Sequence, residues 1–295
     1  MSNRMRRLIL GHNVLVKGDD ILGRAATIEL IPMSKAEKGL GWHWITDEGR
    51  AHPAHIDSAY LHQTGFGNTV GLRNTTCHTT LWEHTGILRW LGLDRVRVRH
   101  PAAPPYFGRS LELWDAIKSH LRPDTTADPL RIRDYQHISW ANGDAATKLD
   151  HTKVTDGRIE YRPHNRCHLD VVIRINYPKL GRYEYEHRVY RNDEVGITAL
   201  EPVLDAYTQG WPMWHKWPAH LLWTHSHKAV WAQDYSAQEV LRLFALHRCA
   251  DLLGTLSLVD NEWLLAGQVV SYGAGHSEDL ELVQAIRRSG LSPIG

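Results

Sequence analysis

Cysteine is scarce in this sequence. Only three occur in 295 residues, Cys77, Cys167 and Cys249, and they lie far apart along the chain. So few and so scattered thiols exclude a disulfide framework and a cysteine-based zinc site. An odd number of cysteines is typical of a reducing compartment, so the sequence predicts a cytoplasmic protein.

Charge of one sign and long apolar runs are also lacking. The formal net charge is +1, and the densest basic run, residues 95–99, alternates with valine like a half-buried strand. We therefore expect no nucleic-acid partner. Because no stretch approaches the roughly 20 apolar residues of a membrane span, we expect no transmembrane segment, and any membrane contact would be peripheral.

The first part of the chain predicts strands followed by helices. Short apolar runs separated by glycine and proline predict strands at 8–10, 14–16, 26–31 and 41–45. Helical spacing of apolar residues predicts helices at 79–90 and 110–121. The polar segment 123–129 is bracketed by prolines, which indicates a linker between a domain at 1–122 and one at 130–295.

Beyond the linker the same order of elements returns. Strands are predicted at 130–132, 158–162, 169–175 and 263–270, and helices at 235–255 and 277–289. The predicted fold class is therefore α+β, with two similar domains that each layer helices on a sheet. We expect the helices to pack between the two sheets and the active site to lie at the domain interface.

The helix at 235–255 carries two candidate metal ligands. Ser236 and Glu239 form a capping box, and an apolar stripe follows at helical spacing. His247 and Asp251 are four residues apart, so they project from one side and can bind a single Zn²⁺ if a third ligand comes from elsewhere. The alternative for this pair alone is a hydrogen bond at the helix surface.

Three stretches together resemble one enzyme family. Residues 77–114 are similar to the Thr-Val-Glu-His-Leu signature and the segments that follow it in UDP-3-O-acyl-N-acetylglucosamine deacetylases, zinc enzymes of lipid A biosynthesis. Residues 247–254, HRCADLLG, resemble that family's His-Lys-x-x-Asp-x-x-Gly helix. Residues 272–276, YGAGH, resemble its Ser-Gly-His turn, and weaker similarity covers most of the chain.

The resemblance implies a zinc hydrolase site. Its metal ligands would be His84, His247 and Asp251, which leaves the open position that a hydrolytic zinc needs for water. It implies that Glu83 is the general base and that His276 stabilises the oxyanion and protonates the departing amine. The remaining catalytic candidate is Thr198, whose hydroxyl would help to hold the oxyanion.

The resemblance also implies substrate-binding residues. Arg248 and Arg162 would bind the diphosphate of a UDP-linked acylated amino sugar, although either could be a surface charge. An insert near 199–230 would take the acyl chain on an apolar surface that includes Trp211, Trp214 and Trp217. The alternatives for these tryptophans are core packing, a plugged tunnel or a protein interface.

Two departures from the family pattern keep a second function open. Thr255 stands where the family has an Asp that partners the catalytic His, and Gly273 replaces a basic residue. The leading prediction is zinc-dependent deacetylation of UDP-3-O-acyl-N-acetylglucosamine or a related N-acetylated amino sugar. The alternative is a non-catalytic homologue that keeps a structural zinc and binds a partner through its tryptophan-rich surface.

Overall fold

The protein combines helices with several β-sheets, as an α+β chain. The computed structural model describes residues 4–5, 8–19, 25–33, 42–45, 51–53, 59–64, 67–72, 78–80, 86–93, 95–99, 110–123, 130–133, 138–141, 157–164, 168–177, 181–190, 236–259 and 263–288. The helices are a 3₁₀ helix Ile87–Leu91, α1 Ser110–Lys118, α2 Ala237–Leu256 and α3 His276–Arg288. The strands are β1 Arg4–Met5, β2 Leu8–Leu10, β3 Val14–Asp19, β4 Ala25–Pro32, β5 Trp42–Ile45, β6 Ala51–Pro53, β7 Ala59–Thr64, β8 Gly67–Leu72, β9 His78–Thr80, β10 Val96–Arg99, β11 Leu121–Pro123, β12 Leu130–Arg133, β13 Ile138–Ala141, β14 Arg158–Arg162, β15 His168–Tyr177, β16 Gly181–Tyr190, β17 Trp263–Leu265 and β18 Gly267–Tyr272.

Two five-stranded sheets form the main β-structure of the described part. The first has the order β3-β4-β10-β5-β6 and the second the order β13-β14-β18-β15-β16. In the second sheet β15 runs parallel to β18 and antiparallel to β16. Leu169, Val171 and Ile173 of β15 are fully buried, whereas His168 and Asp170 alternate with them and face the other side of the sheet.

Helix α2 begins as predicted but is more enclosed than its sequence pattern suggested. The Ser236 side chain accepts a hydrogen bond from the Glu239 amide, and the Glu239 carboxylate accepts one from the Ser236 amide, which completes the capping box. Residues 249–256 are all buried, rather than only an inward stripe. The helix packs on β15 and β16, and it also contacts α3 and the 3₁₀ helix.

Contacts at the C-terminal end of α2 join the two halves of the sequence. The buried Trp90 indole donates a 2.7 Å hydrogen bond to the Leu253 carbonyl, and the Arg89 guanidinium donates to the Ser257 carbonyl. The Leu253 carbonyl also accepts the Ser257 amide, so Trp90 adds a second hydrogen bond there, whereas Arg89 binds the Ser257 carbonyl just beyond the helix end. One hydrophobic core cluster contains residues of both halves.

Strand pairing also crosses the predicted domain boundary. β1 pairs with β12, and β12 pairs with β17, in one three-stranded sheet. β11 extends to Pro123, the first residue of the predicted linker, and pairs with β2. Residues 124–129 lie outside the described part of the chain, so the division into two similar domains stays a prediction.

Three predicted helices differ in the structure. The helix predicted at 110–121 ends at Lys118, because Leu121 already belongs to strand β11. The helix predicted at 79–90 is wrong at its start, because His78–Thr80 is strand β9. Ile87–Leu91 is a 3₁₀ turn, and residues 81–85 lie outside the described part of the chain. That turn ends at Gly92, whose φ of 91° lies in the left-handed region. The last helix starts at His276 rather than after a cap at Ser277. None of the described helices is long and apolar enough to cross a membrane.

Gly267 occupies a position that no larger residue fits. Its φ is +122°, and a Cβ built there would lie 2.6 Å from Tyr161 Cε2 and 2.7 Å from the Arg162 carbonyl oxygen. Tyr161 is fully buried and its hydroxyl donates a 2.6 Å hydrogen bond to the Ala266 carbonyl, so the ring cannot move aside without losing that bond.

Gly267→Ala should lower the free energy of unfolding by about 3 kcal/mol or more, since backbone strain and a steric clash add. Gly181→Ala is a matched control, because Gly181 also has a positive φ of +103° but nothing lies within 4 Å of its added Cβ. The control should lose only about 1–2 kcal/mol. Urea unfolding measures both, and equal losses would show that the contact with Tyr161 is unimportant.

A buried histidine makes the stability depend on pH. His187 of β16 lies inside the fold, and burial lowers its pKa to about 4. An unfolded histidine titrates near 6.5, so between these values the unfolded chain binds the extra proton. The contribution of His187 to stability is therefore complete above pH 6.5 and is lost as the pH falls towards 4.

Unfolding free energies measured from pH 7 to pH 4 should include a loss of about 3 kcal/mol from this group. His187→Phe keeps a ring of similar size and should remove that part of the loss. If the variant and the parent lost the same stability over this range, another group would be responsible.

Candidate functional site

Helix α2 presents His247 and Asp251 on one side, as their spacing predicted. The distance from His247 Nε2 to Asp251 Oδ2 is 3.3 Å. The Asp251 side chain is 4% exposed and that of His247 19%, so the pair lies in a protected position. A carboxylate held this deep in the fold needs a cation or hydrogen-bond donors around it.

A third predicted residue, His276, reaches the same carboxylate from the start of α3. Its Nε2 lies 3.9 Å from Asp251 Oδ2, so both imidazoles face one oxygen. The turn that brings it there leaves β18 at Tyr272 and passes through Gly273, where φ is +57°. That left-handed conformation favours glycine, which gives a local reason for Gly273 where the resembling family has a basic residue. We call His247, Asp251 and His276 the α2–α3 site.

The donor set of the α2–α3 site suits a metal ion. Tetrahedral zinc with ligand bonds of about 2.0–2.2 Å places neighbouring ligand atoms roughly 3.3 Å apart. His247 Nε2 and Asp251 Oδ2 have this separation. Burial lowers the pKa of His247, partly offset by the Asp251 charge, so the imidazole is neutral near pH 7 and can act as a ligand.

Arg248 binds the protein itself. Its guanidinium pairs with both carboxylate oxygens of Asp279, and its Nη1 donates to Asp279 Oδ2 at 2.5 Å. Its Nε donates a 2.7 Å hydrogen bond to the Ala274 carbonyl, and Nη2 donates to the Gly275 carbonyl at 3.4 Å. Burial raises the pKa of Asp279, while the guanidinium opposes that rise. The predicted diphosphate contact stays a prediction, and the observed contacts fix the turn before His276.

Arg162 does not converge on the α2–α3 site. It lies on β14 and pairs with Gln268 of β18. Gln268 is four residues before Tyr272, where β18 ends and the turn before His276 begins. Its Nη2 donates a 2.6 Å hydrogen bond to the buried carboxylate of Glu160, which Arg158 also contacts. Arg162 therefore neutralises a buried charge of the second sheet.

The remaining predicted site residues lie outside the described part of the chain. They are Glu83, His84, Thr198, Trp211, Trp214 and Trp217. Their roles as general base, third zinc ligand, oxyanion partner and acyl-chain surface stay predictions.

Thr255 does not supply the negative charge that a carboxylate at this position would bring near His276. It is fully buried, and its hydroxyl donates a 3.0 Å hydrogen bond to the Asp251 carbonyl one turn earlier in α2. Such back-bonding is the usual behaviour of a threonine inside a helix. The residue facing Asp251 from the next turn therefore adds no negative charge to the site.

A pocket of about 590 Å³ lies at the same end of the second sheet as His276. Sequence reasoning missed it, because its lining comes from β15, β16 and the end of β18, and includes Arg174, Arg182, Tyr183, Glu184, Tyr272 and Gly273. Arg174 Nη1 donates a 2.8 Å hydrogen bond to the Tyr272 hydroxyl, and its Nε donates to Glu184. The pocket reaches Gly273, three residues before His276.

A second group of metal-ligand side chains lies on the same sheet. Within the described residues, the ligand atoms of His164, His168 and Asp170 are all within 4.8 Å of one another, so the group could hold a metal ion. We call these three residues the β14–β15 cluster. The sequence offered one signal, the His168-x-Asp170 alternation on a strand, but the approach of His164 depends on the tertiary fold.

The ion pair between Arg248 and Asp279 gives a stability prediction. Arg248→Met should lower the free energy of unfolding by about 3–5 kcal/mol, because it leaves Asp279 buried without its partner. The double variant Arg248→Met/Asp279→Leu should recover much of that loss, since no buried charge remains. Equal urea midpoints for the single and double variants would contradict this account.

No protein-family model matches the chain, and a search of curated proteins found none that matches it. The assignment of the α2–α3 site therefore rests on its residues, their spacing and their geometry.

Proposed function

We propose that the protein is a zinc-dependent amidohydrolase that removes acetate from UDP-3-O-acyl-N-acetylglucosamine or a closely related N-acetylated amino sugar. The observation that carries the proposal is the convergence of His247, Asp251 and His276, since Nε2 atoms of two imidazoles lie 3.3 and 3.9 Å from one carboxylate oxygen. The resembling family has a histidine, an aspartate and a second histidine in the same order along the chain.

The proposed zinc ligands are His247 and Asp251 from α2 and His84 from the first half of the chain. When bound, a zinc ion lowers the pKa of water and polarises a carbonyl group. Asp251 holds a negative charge at the site, and its burial keeps solvent from weakening that charge.

The proton transfers are assigned to side chains of this protein. Glu83 would accept the proton of the attacking water, and the Thr198 hydroxyl would donate a hydrogen bond to the amide oxygen as it becomes negative. His276 would donate a proton to the nitrogen of the departing amine. Because Arg248 binds the Ala274 and Gly275 carbonyls, the backbone just before His276 is held in place for this step.

The pocket beside Gly273 supports a substrate larger than a simple amide. A volume of about 590 Å³ suits part of a sugar nucleotide, and its lining has two guanidiniums, Arg174 and Arg182, against the one carboxylate of Glu184. A guanidinium matches the geometry of phosphate oxygens well. We therefore propose Arg174 and Arg182 as diphosphate-binding residues, since the guanidiniums of Arg248 and Arg162 already bind Asp279 and Glu160.

The second candidate function, a non-catalytic protein with a structural zinc, has one observation in its favour. Thr255 directs its hydroxyl to the backbone of α2, so the carboxylate that partners the catalytic histidine in the family has no replacement at this position. In this case the metal would connect the two halves of the chain, and tryptophans of the 199–230 segment would bind a partner.

One experiment separates the two functions. The purified full chain should hold zinc and should release acetate from UDP-3-O-acyl-N-acetylglucosamine. Glu83→Ala should keep the zinc and lower kcat by roughly 100-fold or more, the range of a general base, whereas His247→Ala should lose the zinc bound at the α2–α3 site. Zinc by elemental analysis and acetate by a coupled assay measure these outcomes.

Glu186→Ala is the control for the loss of a glutamate, because Glu186 is exposed on β16, and it should leave both readouts unchanged. Undiminished turnover by Glu83→Ala, or full activity after removal of the metal by a chelator, would overturn the hydrolase mechanism. A zinc-loaded parent protein that releases no acetate from a panel of UDP-N-acetyl sugars would favour the second function.

A further inference from the structure

The three side chains of the β14–β15 cluster direct their ligand atoms to one point. His168 Nε2 lies 3.1 Å from Asp170 Oδ2, and His164 Nε2 lies 3.6 Å from the same oxygen. Ligand atoms of a tetrahedral zinc site are roughly 3.3 Å apart, so these two distances lie on either side of the required value. The two imidazole rings are 4.9 Å apart between centroids, and the Nε2 atom of each faces the same carboxylate oxygen.

The cluster is held by rigid structure and is partly shielded from water. His168 and Asp170 are two residues apart on β15 and so share one face of the sheet. The side chains of His164, His168 and Asp170 are 21%, 14% and 17% exposed, which limits their rotation before an ion binds. Binding sites on strands keep their geometry better than binding sites on mobile loops.

Arg188 on the neighbouring strand β16 orients the carboxylate. It stands opposite Asp170 in the strand register, and its Nε donates a 2.6 Å hydrogen bond to Asp170 Oδ1. The other oxygen, Oδ2, is the one that faces both imidazoles. A hydrogen bond to the second oxygen of a ligating carboxylate is the usual support around a metal site. Arg188 therefore sets Asp170 to offer one oxygen to an ion.

We propose that His164, His168 and Asp170 form a second binding site, for a divalent transition-metal ion of the zinc class. Two imidazoles with one carboxylate are typical ligands of Zn²⁺, Co²⁺ and Ni²⁺, whereas Mg²⁺ and Ca²⁺ take oxygen ligands. A water molecule would complete four-coordination.

This second site is separate from the α2–α3 site. Leu169 of β15 stands opposite Gly267 at the start of β18, while His276 follows the other end of β18. The six residues of β18 span about 20 Å at 3.3 Å per residue. The cluster also lies on the sheet face opposite Leu169, Val171 and Ile173. An ion there would not touch the α2–α3 site.

The position of the cluster gives the ion a structural role. In the sheet order β18 lies between β14 and β15, so His164, just after β14, and His168, on β15, come from strands that do not pair with each other. An ion bound to both residues would connect the ends of these strands across β18. Because the ion binds only the folded arrangement, it should raise the melting temperature.

The test counts zinc separately at the two sites. In the His247→Ala protein, freed of metal by a chelator and dialysed, titration with Zn²⁺ should show one ion bound per chain at micromolar concentration. Adding His168→Ala to that variant should weaken binding by roughly 100-fold or more, because even supporting residues of a metal site contribute 10- to 100-fold. Asp170→Asn should do the same with little change of shape.

His12→Ala, added to the same His247→Ala protein, is the matched control. His12 also lies edge to face against another histidine ring, His120, at 4.6 Å, but it belongs to no described group of metal-ligand side chains. This variant should bind Zn²⁺ as its parent does. Co²⁺ should give the visible absorption of a four-coordinate site with the parent and with the control, and Mg²⁺ should not compete.

Three outcomes would overturn the second site. In the first, the His247→Ala protein binds no Zn²⁺ at micromolar concentration. In the second, the variants with His168→Ala and His12→Ala bind Zn²⁺ equally. In the third, Zn²⁺ binds but leaves the melting temperature unchanged. Circular dichroism of the metal-free variants checks that each one folds. If the α2–α3 site bound no metal, the parent and His247→Ala proteins would instead bind the same number of ions, so the two proposals fail in different ways.

Discussion

The buried ion pair between Arg248 and Asp279 is the constraint on which the α2–α3 site depends. Asp279 is fully buried, and a carboxylate in that position requires a partner that matches both of its oxygens. Arg248 supplies a planar fork that a lysine ammonium could not. Since Arg248 is the neighbour of His247 on α2, and Asp279 lies one turn into α3, the pair sets the start of one helix against the middle of the other.

The capping of α3 follows from the same arrangement. Glu278 Oε2 accepts a 2.8 Å hydrogen bond from the Gly275 amide, while the Gly275 and Ala274 carbonyls accept bonds from Arg248. The turn is thus held from both sides, by an anion at its amide and by a cation at its carbonyls. Held in this way, His276 at the start of α3 has its Nε2 3.9 Å from Asp251 Oδ2 on α2.

Local chemistry explains which parts the sequence could predict. The capping box of α2 involves residues three apart, and the His247–Asp251 pair follows from helical periodicity, so both were visible in the sequence. The enclosure of α2 was not visible in the sequence, because burial of residues 249–256 on every side depends on β15, β16 and the 3₁₀ helix. Similarly, Arg248 looks like a surface cation in the sequence, since its partner is 31 residues away. His164 comes near Asp170 because Arg162 on β14 and Asp170 on β15 both pair with Gln268 of β18.

The three-stranded sheet of β1, β12 and β17 has a consequence for synthesis of the chain. β12 pairs with a strand that begins at Arg4 and with one that begins at Trp263, so its two neighbours leave the ribosome about 260 residues apart. At 5–20 residues per second, roughly 7 to 26 s pass between the emergence of β12 and that of β17. During this interval one edge of β12 lacks its strand, and contacts between residues so distant in sequence are slow to form. The last pairing of this sheet therefore happens after most of the chain has been made, and a ribosome-bound chain exposes an open strand edge until then.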